Sequence, residues 1–222
     1  MEGYRILEIK QSVFENNDRE ADRLREDLKK DRTFLLNLMS SPGSGKTTTL
    51  RQTIAALKDE FRIGVMEADI DSDVDAATIE QTGVKVIQLH TGGMCHLDAG
   101  MTRQGLEGLG LGDVDFAILE NIGNLVCPAE FDTGAALNMT ILSVPEGDDK
   151  PAKYPLMYEV ADLLVVNKID ALAVFDFDKE RMERDVLTRN PDMKIFYISA
   201  LTGEGVEELA SYLIEKTKEW NA

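Results

Sequence analysis

Short apolar runs separated by polar stretches organise most of the chain. Thr33–Met39, Phe61–Met66, Val84–Leu89, Phe116–Leu119, Leu137–Val144, Leu163–Val166 and Ile195–Ile198 each read as a buried strand, and helical spacing lies between several of them. Strands alternating with helices imply right-handed βαβ crossovers, hence an α/β fold with a mostly parallel sheet covered by helices on both faces. Ligands in such sheets bind beyond the carboxyl ends of strands. Ahead of the first strand, residues 12–30 carry Val13, Phe14, Ala21, Leu24 and Leu28 at helical spacing among Glu, Asp, Arg and Lys, which predicts an amphipathic helix. No repeat or Pro/Gly-rich linker divides the 222 residues, so a single domain over residues 1–222 is expected.

Charge narrows the partners. With 41 acidic against 24 basic residues the net charge is −17, a field that repels phosphate backbones and argues against nucleic acid. The chain has no basic-then-apolar leader and no apolar run near the ~20 residues that cross a bilayer, so a cytoplasmic location without membrane contact is expected. In that reducing compartment the two cysteines, Cys95 and Cys127, read as free thiols or metal ligands rather than a disulfide.

Three segments carry nucleotide chemistry. Ser40-Ser41-Pro42-Gly43-Ser44-Gly45-Lys46-Thr47 follows a strand, precedes a helix starting near Lys46, and matches the P-loop except that Ser40 replaces glycine. There the backbone around Gly43, Ser44 and Gly45 curls about phosphate oxygens, Lys46 reaches the β/γ-phosphates, Thr47 ligates Mg²⁺, and Thr48 completes the turn. Asn167-Lys168-Ile169-Asp170 follows the strand Leu163–Val166 and has the Asn-Lys-x-Asp pattern of guanine-specific GTPases. Asp170 can accept from guanine N1–H and its exocyclic amine, donors that adenine lacks at those places. Ser199-Ala200-Leu201 resembles the loop that closes over the guanine.

Glu120-Asn121-Ile122-Gly123 ends the strand Phe116–Leu119 where GTPases carry Asp-x-x-Gly, so Glu120 is a candidate Mg²⁺ holder and Gly123 a γ-phosphate sensor. Glu67-Ala68-Asp69-Ile70-Asp71-Ser72-Asp73-Val74-Asp75 puts five carboxylates just beyond the strand Phe61–Met66. Val74 stands where an EF-hand requires glycine, which excludes that calcium loop. The segment reads instead as a switch in which Asp75 serves Mg²⁺ and Asp71 or Asp73 orients attacking water. Lys46, Asp71, Asp75 and Glu120 are thus the candidate catalytic residues.

Cys95-His96, in a glycine-flanked turn, and Cys127, seven positions beyond Glu120, offer thiolate and imidazole donors suited to Ni²⁺ or Zn²⁺. Three ligands leave a position open for transfer or for completion across a dimer. By general frequency two isolated cysteines are more often small buried hydrophobes. His90, ending Val84–Leu89, reads as a hydrogen-bonded structural residue, and Gly108, Gly110 and Gly112 as a turn.

The P-loop, Gly93–Asp98, Glu120–Pro128, the segment Val144–Pro151 and Asn167–Asp170 together closely resemble the HypB family across most of the chain. The resemblance implies a GTP-dependent homodimer. It also implies delivery of nickel to the [NiFe]-hydrogenase large-subunit precursor with the small nickel-binding partner HypA. Carried over, the interface metal site is Cys95, His96 and Cys127, and Lys150 and Lys153 are candidates for contacts to nucleotide or the second protomer. Residues 1–30 contain neither cysteine nor histidine, so the N-terminal cysteine motif and histidine-rich storage tract of some members are absent. The urease-maturation sister carries Cys-Pro-His, whereas Cys127-Pro128 here precedes Ala129. Rival readings are that urease-type GTPase, a P-loop kinase with an arginine-bearing lid, and a metal-free nucleotide-gated binding module.

Overall fold

The computed structural model describes residues 3–69, 78–91, 93–110 and 112–222, with side chains from residue 16 onward except Asp69. Asp71, Asp73 and Asp75 therefore lie outside the described residues. Helix α1 (Gly3–Lys30) leads into β1 (Phe34–Ser40) and α2 (Lys46–Leu57), then β2 (Ile63–Asp69) and β3 (Lys85–His90). There follow α3 (Ala99–Leu109), β4 (Phe116–Glu120), the short α4 (Cys127–Glu130) and β5 (Leu137–Ser143). Short helices α5 (Lys150–Lys153) and α6 (Pro155–Val160) precede β6 (Leu163–Asn167), α7 (Lys179–Arg189), β7 (Lys194–Tyr197) and α8 (Val206–Trp220). The expected helix at 12–30 thus begins at Gly3.

The seven strands form one sheet in the order β3-β2-β4-β1-β5-β6-β7, and every pairing is parallel. This is the parallel α/β sheet that the alternation predicts, in the P-loop GTPase architecture that the motifs predict. Central strands β1, β4 and β6 are buried at every position, as strands with helices on both faces must be, whereas edge strand β3 is half-exposed.

Side-chain alternation sorts the core. Leu36 and Leu38 of β1 pack with Leu50, Ile54 and Leu57 of α2 and with Leu209 and Leu213 of α8 on one face. On the other face, Leu35 meets Leu24 and Leu28 of α1 and Leu106 and Leu109 of α3, while Met39 meets Met157, Tyr158, Met182 and Val186 of α6 and α7. Trp220 closes the bottom: its indole N–H donates to the Thr33 carbonyl at 3.0 Å and its ring stands edge-on to Phe34. No described helix is long and apolar enough to cross a membrane.

Strand ends differ instructively from the expected ones. β2 continues through Glu67, Ala68 and Asp69, β4 through Glu120, and β6 through Asn167. Each extension carries a polar side chain to the ligand-binding edge, where hydrophobic patterning stops although backbone pairing continues.

Candidate functional site

β1 delivers the chain into the phosphate loop. Gly43 (φ 80°) and Gly45 (φ 94°) adopt left-handed backbone, and a Cβ on Gly45 would stand 2.5 Å from the Asn167 amide nitrogen. Ser40, in the place of the pattern's first glycine, is fully buried and receives a 2.7 Å hydrogen bond from the Ser44 hydroxyl, so the departure adds a brace. Ser41 bonds Glu146, whose other oxygen accepts from the Ser143 hydroxyl and N–H. Thr47 lies half-buried in the first turn of α2 and Thr48 is exposed beside it.

The base end is stitched to this loop. Asn167, 1% exposed, donates to the Ser44 carbonyl at 3.0 Å and accepts from the N–H of Lys168 (2.7 Å) and Ala200 (3.1 Å). Lys168 takes φ 62°, and its ammonium donates to the Gly43 carbonyl at 2.7 Å. The Ser199 hydroxyl donates to Asp170 at 2.5 Å, which aims that carboxylate, and Gln52 of α2 holds the Ala200 carbonyl at 3.0 Å. Leu201 is exposed at the rim.

Lys46 Nζ stands 4.0 Å from Glu120, and a Cβ on Gly123 would lie 3.3 Å from the Pro42 ring and 3.4 Å from the same ammonium. Glu67 pairs in register with Glu120 on the same face of the sheet, and both are buried. Glu67, expected beyond its strand among the switch carboxylates, lies within β2. Two neighbouring carboxylates beside the P-loop lysine are hard oxygen donors of the kind Mg²⁺ takes.

The cysteines meet at the same end of the sheet. Cys95 Sγ lies 2.7 Å from Cys127 Sγ, and His96 Nδ1 is 4.0 Å from Cys95 Sγ. Two thiolates at ~2.3 Å from one ion in tetrahedral geometry stand ~3.7 Å apart, so a side-chain adjustment of about an ångström admits a metal. The turn before Cys95 is fixed by Gly93 (φ 95°) and by the Thr91 hydroxyl donating to the Met94 carbonyl. Asp98 caps α3 by accepting from the Met101 N–H at 2.8 Å. On the partner segment, Asn124 accepts from the Val126 N–H at 2.7 Å and turns the chain into α4.

The His96 ring lies flat on Phe131, with centroids 3.7 Å apart and planes within 7°. Phe131 carried no motif signal. Burial lowers the His96 pKa, which favours the neutral, ligating imidazole, while Asp98 and Glu130 oppose that shift. The Cys127 pKa is raised, first by the hydrogen bond with Cys95 and then by burial. His90, by contrast, is exposed and its side chain bonds to no described residue, so it is not the hydrogen-bonded structural histidine expected. Gly110 caps α3 at φ 84° as a turn residue, but Gly108 lies inside that helix. Lys153 pairs with Asp149 at 2.5 Å and Lys150 sits over the Tyr154 ring.

Residues 34–197 match the model of the CobW/HypB/UreG nucleotide-binding domain. The hydrogenase maturation factor HypB of Azotobacter chroococcum is 46% identical over 209 residues, covering 94% of this chain and 68% of that one. The crystal structure of HypB from Helicobacter pylori in complex with nickel superposes with a TM-score of 0.85 at 40% identity, covering 92% of this chain and 96% of that one. The HypB structure from Archaeoglobus fulgidus gives 0.84 at 37% identity, covering 91% and 98%.

Proposed function

Since the chain belongs to the HypB family of hydrogenase maturation factors, we propose that it is a GTP-hydrolysing metallochaperone that hands on nickel during [NiFe]-hydrogenase maturation, its nucleotide state coupled to dimerisation. The observation that carries the reading is the approach of Cys95 to Cys127, with His96 Nδ1 4.0 Å from the Cys95 sulfur, on segments that leave the sheet at its ligand-binding edge. Nickel is the cargo; zinc competes for the same sulfur and nitrogen donors. The relative from Helicobacter pylori binds nickel, which supports the choice of metal.

GTP is read at both ends. Asp170, held by Ser199, accepts from the guanine, while P-loop amides and Lys46 hold the phosphates. Mg²⁺, held by Thr47 and Glu120, would neutralise charge on the β/γ oxygens. Asp75 and Asp71 are proposed as its further ligand and as the residue orienting attacking water. Lys46 beside Gly123 lets the loop that begins at Glu120 respond to the γ-phosphate. Seven positions on, Cys127 moves with it, so GTP hydrolysis alters the metal site. The Lys168 and Asn167 braces belong to guanine recognition and have no place in a kinase reading. Ala129, packed in the core where the urease branch has histidine, supports the hydrogenase client, with HypA and the large-subunit precursor as partners.

The test is Ni²⁺ and Zn²⁺ bound per chain, with oligomer mass, for the wild type and Cys95→Ala in GDP and in a non-hydrolysable GTP analogue. A dimer driven by the analogue, with Cys95-dependent metal binding that differs between nucleotides, is expected. Absence of stoichiometric metal in both states would overturn the metallochaperone and leave the GTPase.

A further inference from the structure

One side chain far from every sequence motif touches both metal-bearing segments. Asn17, on α1 and 9% exposed, donates from Nδ2 to the Asp132 carbonyl at 2.9 Å and accepts at Oδ1 from the Ala99 N–H at 3.0 Å. Ala99 is the first residue of α3, three positions beyond His96, and its N–H is one of those a helix start leaves without an internal partner. Asp132 stands five positions beyond Cys127 and directly follows Phe131, the ring on which His96 lies. A closed circuit results: Asn17 to Ala99, back along the chain to His96, across the stacked rings to Phe131, and through Asp132 to Asn17 again.

The anchor is firm on the helix side. Arg25, two turns along α1, grips both oxygens of the Asp132 carboxylate at 2.7 Å and donates to the Ala135 carbonyl at 3.0 Å. Gly134, at φ 78°, comes so close to α1 that a Cβ there would lie 2.9 Å from Leu24 and 3.1 Å from the Ala21 carbonyl. The segment after Cys127 is thus pinned to α1 by carbonyl, carboxylate and close packing, and Asn17 extends that anchor to the start of α3. The position demands a group that donates at one end and accepts at the other, which a carboxamide supplies and a carboxylate or ammonium does not.

We propose that Asn17 is a positioning residue of the metal site, fixing the span between the Cys95–His96 segment and the Cys127–Phe131 segment so that the N-terminal helix sets ligand geometry and affinity. The inference rests on the metal-site reading above. Partners behind the ligands of a metal are worth about 10–100-fold in affinity when removed.

The experiment titrates Ni²⁺ into wild type, Asn17→Leu, Asn17→Asp, Asn17→Gln and Arg103→Ala, reading dissociation constant and sulfur-to-nickel charge-transfer absorbance, with GDP affinity as a fold control. Arg103 joins α1 to α3 through Asp27 at 3.2 Å, away from the ligands, so its variant tests helix docking alone. Asn17→Leu and Asn17→Asp are expected to weaken nickel about tenfold and shift the absorbance with GDP affinity unchanged. Asn17→Gln, which keeps both hydrogen-bonding capacities, recovers part of the loss, and Arg103→Ala leaves the nickel spectrum as in wild type. Wild-type affinity and absorbance in both Asn17→Leu and Asn17→Asp would overturn the inference while leaving the metallochaperone standing. Equal loss of nickel and GDP binding in both would also overturn it, in favour of a purely structural role. A wild type that binds no nickel removes the metal-site reading itself.

Discussion

The two halves of the ligand-binding edge are built differently. At the nucleotide end, side chains cross from loop to loop in short steps: Asn167 spans Ser44, Lys168 and Ala200, Lys168 returns to Gly43, and Ser199 aims Asp170. At the proposed metal end, Cys95 meets Cys127 through one sulfur contact and His96 lies on Phe131 through one ring stack, while Asn17 and Arg25 tie the two segments to α1 from behind. A pocket for a substrate whose charge must be met without delay gains from preorganised dipoles. A site that must accept and then surrender a metal gains from ligands on segments that can separate.

The largest effect that can break this contrast is at Lys46. Lys46→Ala removes the cation facing the β/γ-phosphates and is expected to lower GTP turnover by about 10²–10³-fold. Nickel affinity in the absence of nucleotide stays unchanged, because none of the groups that hold Cys95, His96 or Cys127 involves Lys46. A steady-state phosphate-release assay beside a nickel titration checks both. A nickel loss matching the turnover loss would mean that the two ends are one site.

Next comes Asn167→Ala. The amide is buried, and its removal strands the Ser44 carbonyl and two N–H groups, each worth ~1 kcal/mol, so ~3 kcal/mol of stability should go. That corresponds to about 6–12 °C of melting temperature at this chain size. Calorimetry of the nucleotide-free protein reads it. A shift near zero would show that the bracing serves only the bound state and that the nucleotide end is no stiffer than the metal end.

The same contrast explains what could be read from the chain. The nucleotide motifs are contiguous and sit at strand ends, so periodicity locates the strand and the next few letters name the chemistry. Parallel pairing followed from the alternation of strands and helices, whereas the strand order came only with the structure. Glu67 escaped because hydrophobic patterning ends at Met66 while β2 pairs on through Asp69, and a buried carboxylate looks like a loop residue to any apolar count. The proposed metal end depends on contacts across 32, 82 and 115 positions, which no local spacing records: residue type made the two cysteines candidate donors, family resemblance favoured them as one site, and Asn17 was one polar letter in an amphipathic helix.

Phe131 gives the smallest effect and the sharpest test of how the metal end is held. Its ring lies parallel to His96 at 3.7 Å, a contact that fixes the imidazole plane through the ring face rather than through either nitrogen. Aromatic pairs of this kind are worth ~0.5–1.5 kcal/mol, which converts to about 2–12-fold in a dissociation constant. Phe131→Leu keeps an apolar cover over His96 but removes the flat face, and nickel binding should weaken within that range while GTP turnover holds. Because Phe131 also lies in the circuit through Asn17, Phe131→Leu combined with Asn17→Leu should cost less than the product of the two single losses. Multiplicative losses in that double-variant titration would mean that the ring and the carboxamide hold the site independently, and that the metal end is braced by two separate supports rather than one closed circuit.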